Sequence, residues 1–131
     1  MAIYTLLVRA AITFGKRGAV LLLVWEHFRL LLLIGLDFAT LEELQANPTL
    51  TPVTALLLAE SGYAPVNPAE WIGKLRPQVM LLSVAADDRD GLPSPETLAT
   101  VKGYMLLRTD RNGWIELSTD GEELWVEVER H

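Results

Sequence analysis

Few side chains in this sequence could carry out chemistry, and they are far apart. Of the two histidines, His27 lies inside an apolar stretch and His131 is the final residue. No His-x-x-x-His or Glu-x-x-His pair brings two metal ligands together. Ser61 and Ser83 lack the context of a catalytic nucleophile, and no histidine is near either. We therefore expect no enzyme, no cofactor and no metal site, with His27 a capping or partly exposed polar residue.

The acidic segment 87–91 is the best candidate for binding a divalent metal. If Gly91 takes the sixth position of a calcium loop, Asp88 and Asp90 take the third and fifth. The first and twelfth positions, which need carboxylates most, then hold an alanine and a threonine. The pattern favours an acidic surface loop, and a small enzyme using Asp88 and Asp90 with a metal is our third functional hypothesis.

Composition limits the class of protein. The chain has 131 residues, half of them hydrophobic, which predicts a single domain with one core rather than disorder. The net charge of −6 disfavours a protein whose main task is to neutralise phosphates. The absence of cysteine excludes disulfides and thiolate metal sites. With no signal peptide apparent, we expect a cytoplasmic protein, such as an accessory subunit or a bacterial or phage adaptor.

The most apolar stretch, residues 19–36, is expected to organise the rest of the chain. Leucine is a strong helix former and β-branched residues are few here, which favours a buried helix. Two buried strands on either side of residues 26–29 are the first alternative. A membrane helix is the second, disfavoured because Glu26, His27 and Arg29 lie at its midpoint.

Helix start signals recur after this stretch. Thr40 opens a capping box, and Pro follows Thr51, Asn67 and Ser94 at the first helical position. These signals predict helices over residues 41–46, from 52 to Ser61, from 68 to before Pro77, and from 95 to Gly103. Residues 79–85 are typical of a buried strand. Residues 3–14 fit a strand or a helix equally well, and residues 15–18 (GKRG) are expected to form a turn.

The C-terminal residues 104–130 are typical of an antiparallel three-stranded meander. Apolar and polar residues alternate on either side of Asp120-Gly121, which predicts a two-residue turn that pairs Leu117 with Leu124. A three-residue loop ending at Gly113 then places Arg108 opposite Glu116. One face of the meander becomes apolar and faces the core: Met105, Leu107, Ile115, Leu117, Leu124, Val126 and Val128.

The opposite face of the meander carries the best candidate for a binding site. It presents Trp114 and Trp125 among carboxylates, which is typical of a protein–protein hot spot. The candidate partner-binding residues are Trp114, Trp125, Arg108, Glu116 and Glu127. The alternative is that the N-terminal helices or the 68–76 helix cover this face, which would make both tryptophans part of the core.

Residues 28–65, FRLLLLIGLDFATLEELQANPTLTPVTALLLAESGYAP, resemble the tri-helical part of a winged helix-turn-helix domain. The resemblance implies a short helix at residues 41–44, a DNA-reading helix at 51–58, and a C-terminal hairpin that serves as the wing. The sequence departs from it because residues 51–61 contain no Arg, Lys, Asn or Gln to read bases. The candidates for phosphate contact are Arg9, Lys16, Arg17, Arg108 and Arg111.

Together these patterns predict an α+β protein whose helical N-terminal two-thirds (mainly residues 1–77) packs on a C-terminal antiparallel three-stranded β-meander. The function that we expect is a non-catalytic acidic protein-binding or assembly module, with a protein partner or a second copy of itself. The alternative is a winged-helix DNA-binding regulator, although the net charge disfavours nucleic acid.

Overall fold

The computed structural model of the chain describes residues 9–15, 18–86 and 90–131. Within these ranges, one sheet contains six strands in chain order: β1 (Arg9–Gly15), β2 (Gly18–Trp25), β3 (Phe28–Leu33), β4 (Ala55–Leu57), β5 (Val79–Leu82) and β6 (Met105–Arg108). Strands β1 to β3 are antiparallel, and β3 to β6 are parallel. Two further strands, β7 (Ile115–Thr119) and β8 (Leu124–Val128), form a separate antiparallel hairpin.

Short helices fill the connections between the parallel strands. They are α1 (Phe38–Gln45), α2 (Ala69–Leu75) and α3 (Pro95–Thr100), with 3₁₀ turns at Pro48–Leu50, Ala59–Gly62 and Ala64–Val66. A single turn, α4 (Thr109–Asn112), follows β6. The predicted helical N-terminal two-thirds is therefore wrong, because β1, β2 and β3 occupy most of the described residues up to Leu33 and strands alternate with short helices after them.

The four parallel strands recur at a regular interval. Leu30, Ala55, Val79 and Met105 are neighbours across the sheet, so one strand and one connection repeat about every 25 residues, the size of a solenoid unit. Parallel neighbours require a crossover connection. Crossovers of the same hand that step in one direction place all their helices on the same face of the sheet.

The packing forms three layers. Under the helices, one face of the sheet is buried against residues of α1 and α2: Val20, Leu22, Leu31, Leu33, Leu56, Met80 and Leu82 from the sheet, and Leu41, Leu44, Trp71, Ile72 and Leu75 from the helices. The other face of the sheet packs against the β7–β8 hairpin: Leu30, Ala55, Val79, Leu81 and Leu107 meet Ile115, Leu117, Leu124, Val126 and Val128.

The stretch 19–36 is a strand pair, so the preferred helix is wrong and the first alternative is correct. Trp25 pairs with Phe28 across a tight turn in which Glu26 has φ of 52°. Apolar residues occupy both faces of β2 and β3, although one face is buried and the other only half-buried. Their sequence is therefore continuously apolar instead of alternating, and it imitates a buried helix. The membrane alternative fails as well, since no helix in the described ranges is long and apolar enough to span a bilayer.

The winged-helix resemblance is also wrong. The segment expected to form its DNA-reading helix contains β4, a central strand of the sheet, followed by a 3₁₀ turn. The capping box at Thr40 does not form either. Instead, Asp37 caps α1 by accepting a hydrogen bond from the Thr40 amide (2.8 Å), and Thr40 is buried.

Several local predictions are confirmed. The helix before Pro77 is α2, the helix after Ser94 is α3, and the strand predicted from residue 79 is β5. Of residues 3–14, those from Arg9 onward form β1. The predictions for residues 3–8, for the turn at 16–17 and for the acidic loop at 87–89 fall outside the described residues.

The C-terminal meander is only partly correct. Strand β6 pairs in parallel with β5 and does not pair with β7. In the hairpin, Leu117 lies opposite Val126 instead of Leu124, because a four-residue loop replaces the predicted two-residue turn. A shift of two residues preserves which side chains share a face, so the apolar face is as predicted except for Met105, which is exposed.

Candidate functional site

The outward side of the β7–β8 hairpin carries the predicted tryptophan site. We call it the outer hairpin face and define it by six residues: Trp114, Glu116, Ser118, Trp125, Glu127 and Glu129. Glu116 lies directly opposite Glu127, and Ser118 lies opposite Trp125. The Trp114 carbonyl accepts a hydrogen bond from the Glu129 amide (3.0 Å), which continues the ladder by one pair. Strand alternation places all six side chains on the side away from the sheet.

Both indoles are accessible. The exposed fraction is 53% for Trp114 and 50% for Trp125. Trp125 lies beside Ser118, four residues along the strand from Trp114, so the two rings are about 13 Å apart along the hairpin. The glutamate pair occupies the space between them. An extended segment of four to five residues would span this distance.

The electrostatics of the outer hairpin face are unfavourable to the isolated protein. Glu116 and Glu127 are like charges in directly opposed positions, which destabilises a strand pair. Glu116 accepts only a long hydrogen bond from Ser118 (3.4 Å), and neither glutamate has an ion-pair partner among the described residues. Glu129, at the edge, pairs with Arg130 (3.1 Å). The centre of the face is therefore an uncompensated anionic patch.

The hairpin is anchored at its open end by Asn112. Its side-chain amide donates a hydrogen bond to the backbone carbonyl of Arg130 (2.9 Å). Its backbone carbonyl accepts one from the backbone amide of Arg130 (2.9 Å). The Asn112 side-chain oxygen also accepts from the Arg108 amide (2.9 Å), which connects the hairpin to the end of β6. This end of the outer hairpin face is thus fixed relative to the main sheet.

The loop end is anchored by the tip of the β2–β3 turn. The His27 backbone amide donates a hydrogen bond to the carbonyl of Gly121 (2.9 Å). The His27 ring nitrogen Nδ1 forms a hydrogen bond with the carboxylate of Glu122 (2.6 Å). That hydrogen bond, with the carboxylate's charge, raises the pKa of His27 above its ordinary value. The predicted role of His27 as a partly exposed polar residue is confirmed, since it is largely exposed and contacts another loop.

Arg108 does not belong to the outer hairpin face, and the predicted Arg108–Glu116 pair does not form. Arg108 is the last residue of β6, and its guanidinium donates two hydrogen bonds to Asp110 (3.0 and 2.7 Å). These bonds hold the pKa of the Asp110 carboxyl below its ordinary value. Both side chains are mostly buried, so the pair stabilises the turn after β6.

The other candidates are not brought together. Arg9 lies on β1 and Arg111 on α4, whereas Lys16 and Arg17 fall outside the described residues. Asp88 also falls outside them, and the described ranges hold no group of three or more side chains placed to bind a metal. Thr97, the twelfth position of the calcium pattern, is buried, and its hydroxyl donates to the Gly62 carbonyl (2.7 Å).

The sequence interpretation missed a second exposed apolar group. Ile34, Phe38 and Tyr63 are all exposed, and Phe38 and Tyr63 line a cleft of about 360 Å³ at the carboxyl ends of β3 and β4. The available signal was the 25-residue recurrence of apolar runs, which predicts parallel strands whose ends share an edge.

Comparison with protein-family models, curated proteins and solved structures finds no match to this chain.

Proposed function

We propose that this protein is a non-catalytic acidic binding module whose outer hairpin face takes up a basic segment of a protein partner. The observation that supports this proposal is the arrangement of two half-exposed tryptophans on either side of a directly opposed glutamate pair. The other face of the hairpin is occupied by the core, which leaves this face available.

The side chains on the face define the chemistry of the partner. Tryptophan is enriched among interface hot spots and is the best aromatic platform for a lysine or arginine cation. A cation placed between Glu116 and Glu127 would remove their mutual repulsion, so binding would relieve a cost that the free protein bears. The overall charge of −6 would attract the same partner from a distance.

A DNA-binding function finds no support in these features. The winged-helix segment on which that alternative rested is a sheet strand, and an anionic face repels phosphate. Of the basic side chains predicted to contact phosphate, Arg108 is neutralised by Asp110.

Binding to a defined peptide tests the proposal. The probe is a fluorescein-labelled decapeptide in which arginine and lysine alternate with small residues, titrated with protein and followed by anisotropy. We expect saturable binding that the double variant Trp114→Ala/Trp125→Ala weakens at least about tenfold, the effect of hot-spot residues. A peptide with glutamate in place of the basic residues should not bind.

Two controls keep the result interpretable. Met105→Ala removes a large apolar side chain of equal exposure that belongs neither to the outer hairpin face nor to the cleft at Phe38 and Tyr63, and it should leave peptide affinity unchanged. The melting temperature of the double variant should stay within a few degrees of the parent. Equal peptide affinity in the double variant, or a collapse of its stability, would refute the proposal.

A further inference from the structure

We propose that the cleft at the carboxyl ends of β3 and β4 is a second binding site, which takes a small organic amine with an aromatic or aliphatic body. The cleft has a volume of about 360 Å³, within the range of small-molecule sites. The cleft is lined by residues of the connections that follow the carboxyl ends of β3 and β4. The site is separate from the outer hairpin face, because its floor belongs to the helix-side core.

The walls of the cleft are apolar and partly open. Leu36 and Val66 are buried members of the helix-side core and form its floor. Phe38 and Tyr63 line the mouth with exposed fractions of 60% and 46%, so both rings are accessible to a ligand. Two rings beside a narrow apolar floor fit the hydrocarbon body of a ligand and can face its cation.

The charges in the cleft select a cation. Glu60 and Asp37 line it, and none of its lining residues is lysine, arginine or histidine within the described ranges. One oxygen of Glu60 accepts from the Leu36 amide (3.1 Å), which holds the carboxylate in position. Asp37 already caps the N-terminus of α1 through the Thr40 amide (2.8 Å). That cap removes the main attraction that an anion would find here.

The backbone beneath Glu60 is held in an uncommon conformation. Glu60 and Ser61 have φ of 47° and 50°, the left-handed region that residues other than glycine rarely adopt. The buried Asn67 side chain fixes this segment by donating to the carbonyls of Ala59 (3.0 Å) and Tyr63 (2.8 Å). Such strain persists only where the surroundings over-determine it, and it is concentrated at ligand sites. The backbone that carries Glu60 and Tyr63 is thus held in place before a ligand binds.

An NMR titration with three matched probes tests the site. The probes are 2-phenylethylamine, 2-phenylethanol and phenylacetate, which share a ring and differ in charge. We expect the amine to shift backbone amide signals of residues 34–38 and 60–63, with at least about tenfold higher affinity than the alcohol, as a charge-assisted contact implies. Phenylacetate should cause no such shifts.

Variants of the full-length chain separate the contributions. Glu60→Gln keeps an acceptor for the Leu36 amide but removes the charge, so it should weaken amine binding about tenfold and leave alcohol binding unchanged. Phe38→Ala, at an exposed position, should weaken the binding of both. The Trp114→Ala/Trp125→Ala variant should bind the amine normally, which makes this test independent of the proposed function.

Four outcomes would overturn the assignment. These are equal affinity for the amine and the alcohol, preference for phenylacetate, shifts that map elsewhere, and an absence of shifts at millimolar amine. A fifth outcome would also overturn it: tighter binding in this cleft of a pentapeptide that is acetylated at its N-terminus and has an unmodified lysine than of 2-phenylethylamine. The occupant would then be a protein segment.

Discussion

Asn67 shows how one buried side chain determines the shape of a long connection. It is 3% exposed, and besides its two donated bonds its oxygen accepts from the Ala59 amide (2.9 Å). All three hydrogen bonds go to the backbone of the segment that follows β4. An asparagine before proline predicted a helix cap, yet Pro68 occupies the cap position of α2 and Asn67 points back to this segment. No local pattern distinguishes these two roles.

The first prediction concerns Asn67→Ala. The substitution leaves one amide and two carbonyls without their partners, and buried unsatisfied groups cost about 1–3 kcal/mol each. Because water can reach part of this segment, we expect the free energy of unfolding to fall by about 2–4 kcal/mol. Urea denaturation followed by circular dichroism measures this change.

Asn47→Ala is the matched control for that substitution. Asn47 is exposed and accepts from the Thr49 amide (3.0 Å) ahead of a 3₁₀ turn, so its removal should cost about 1 kcal/mol or less. Equal losses at the two positions would show that the Asn67 hydrogen bonds do not have the structural role assigned to them.

At the scale of elements, sequence patterns predict which face of a strand is buried better than they predict which strands pair. Alternation in residues 115–128 predicted correctly which side chains of β7 and β8 turn inward, because a strand exposed on one face has a period of two. Alternation did not predict that β6 pairs with β5 instead of β7, since strand pairing depends on residues far away in the chain. For β2 and β3, apolar residues on both the buried and the half-buried face removed the period of two from the sequence.

The candidate sites follow the same logic. Alternation alone predicted which tryptophans and glutamates lie on the outer hairpin face. Only Arg108 was wrongly assigned to that face, because its assignment depended on a β6–β7 pairing that does not form. The cleft was missed, because its walls come from Phe38 and Tyr63, which lie in successive crossovers. Their proximity requires the parallel order of β3 and β4, which no local pattern specifies and only the 25-residue recurrence of apolar runs indicates.

The second prediction concerns Glu127→Lys in the hairpin. A lysine opposite Glu116 replaces a repulsive cross-strand pair with an attractive one, which should raise the free energy of unfolding by about 0.2–1 kcal/mol. The same change removes the anionic centre of the outer hairpin face, so affinity for the basic decapeptide should fall at least about tenfold. Urea denaturation and anisotropy measure the two effects on one protein sample.

Glu123→Lys provides the control with the same change in net charge. Glu123 is exposed in the loop between β7 and β8 and has no cross-strand partner in that register. It should leave stability nearly unchanged and weaken the peptide only slightly. If Glu123→Lys matches Glu127→Lys in both measurements, net charge alone explains the binding and the opposed pair has no special role.

At the scale of the whole molecule, the hairpin is the third layer and the sheet depends on it. Ala55 and Val79 at the centre of the sheet are buried on the hairpin side, in contact with aliphatic residues of β7 and β8. Removal of the hairpin would expose this face and take away the Asn112–Arg130 bonds at its base. An exposed apolar face of that kind favours aggregation or loss of packing.

The third prediction is therefore that residues 1–112 do not form a stable fold by themselves. This truncated chain should elute from size exclusion as aggregate or expanded material, bind 8-anilinonaphthalene-1-sulfonate and lack a cooperative melt. In the full chain, Leu117→Ala removes a partly buried side chain of the inner face. It should cost about 1–3 kcal/mol and still give one transition, seen alike by circular dichroism and tryptophan fluorescence. A monomeric, cooperatively melting 1–112 would instead mean that the hairpin is an appended element, whose inner face contributes little to holding the sheet together.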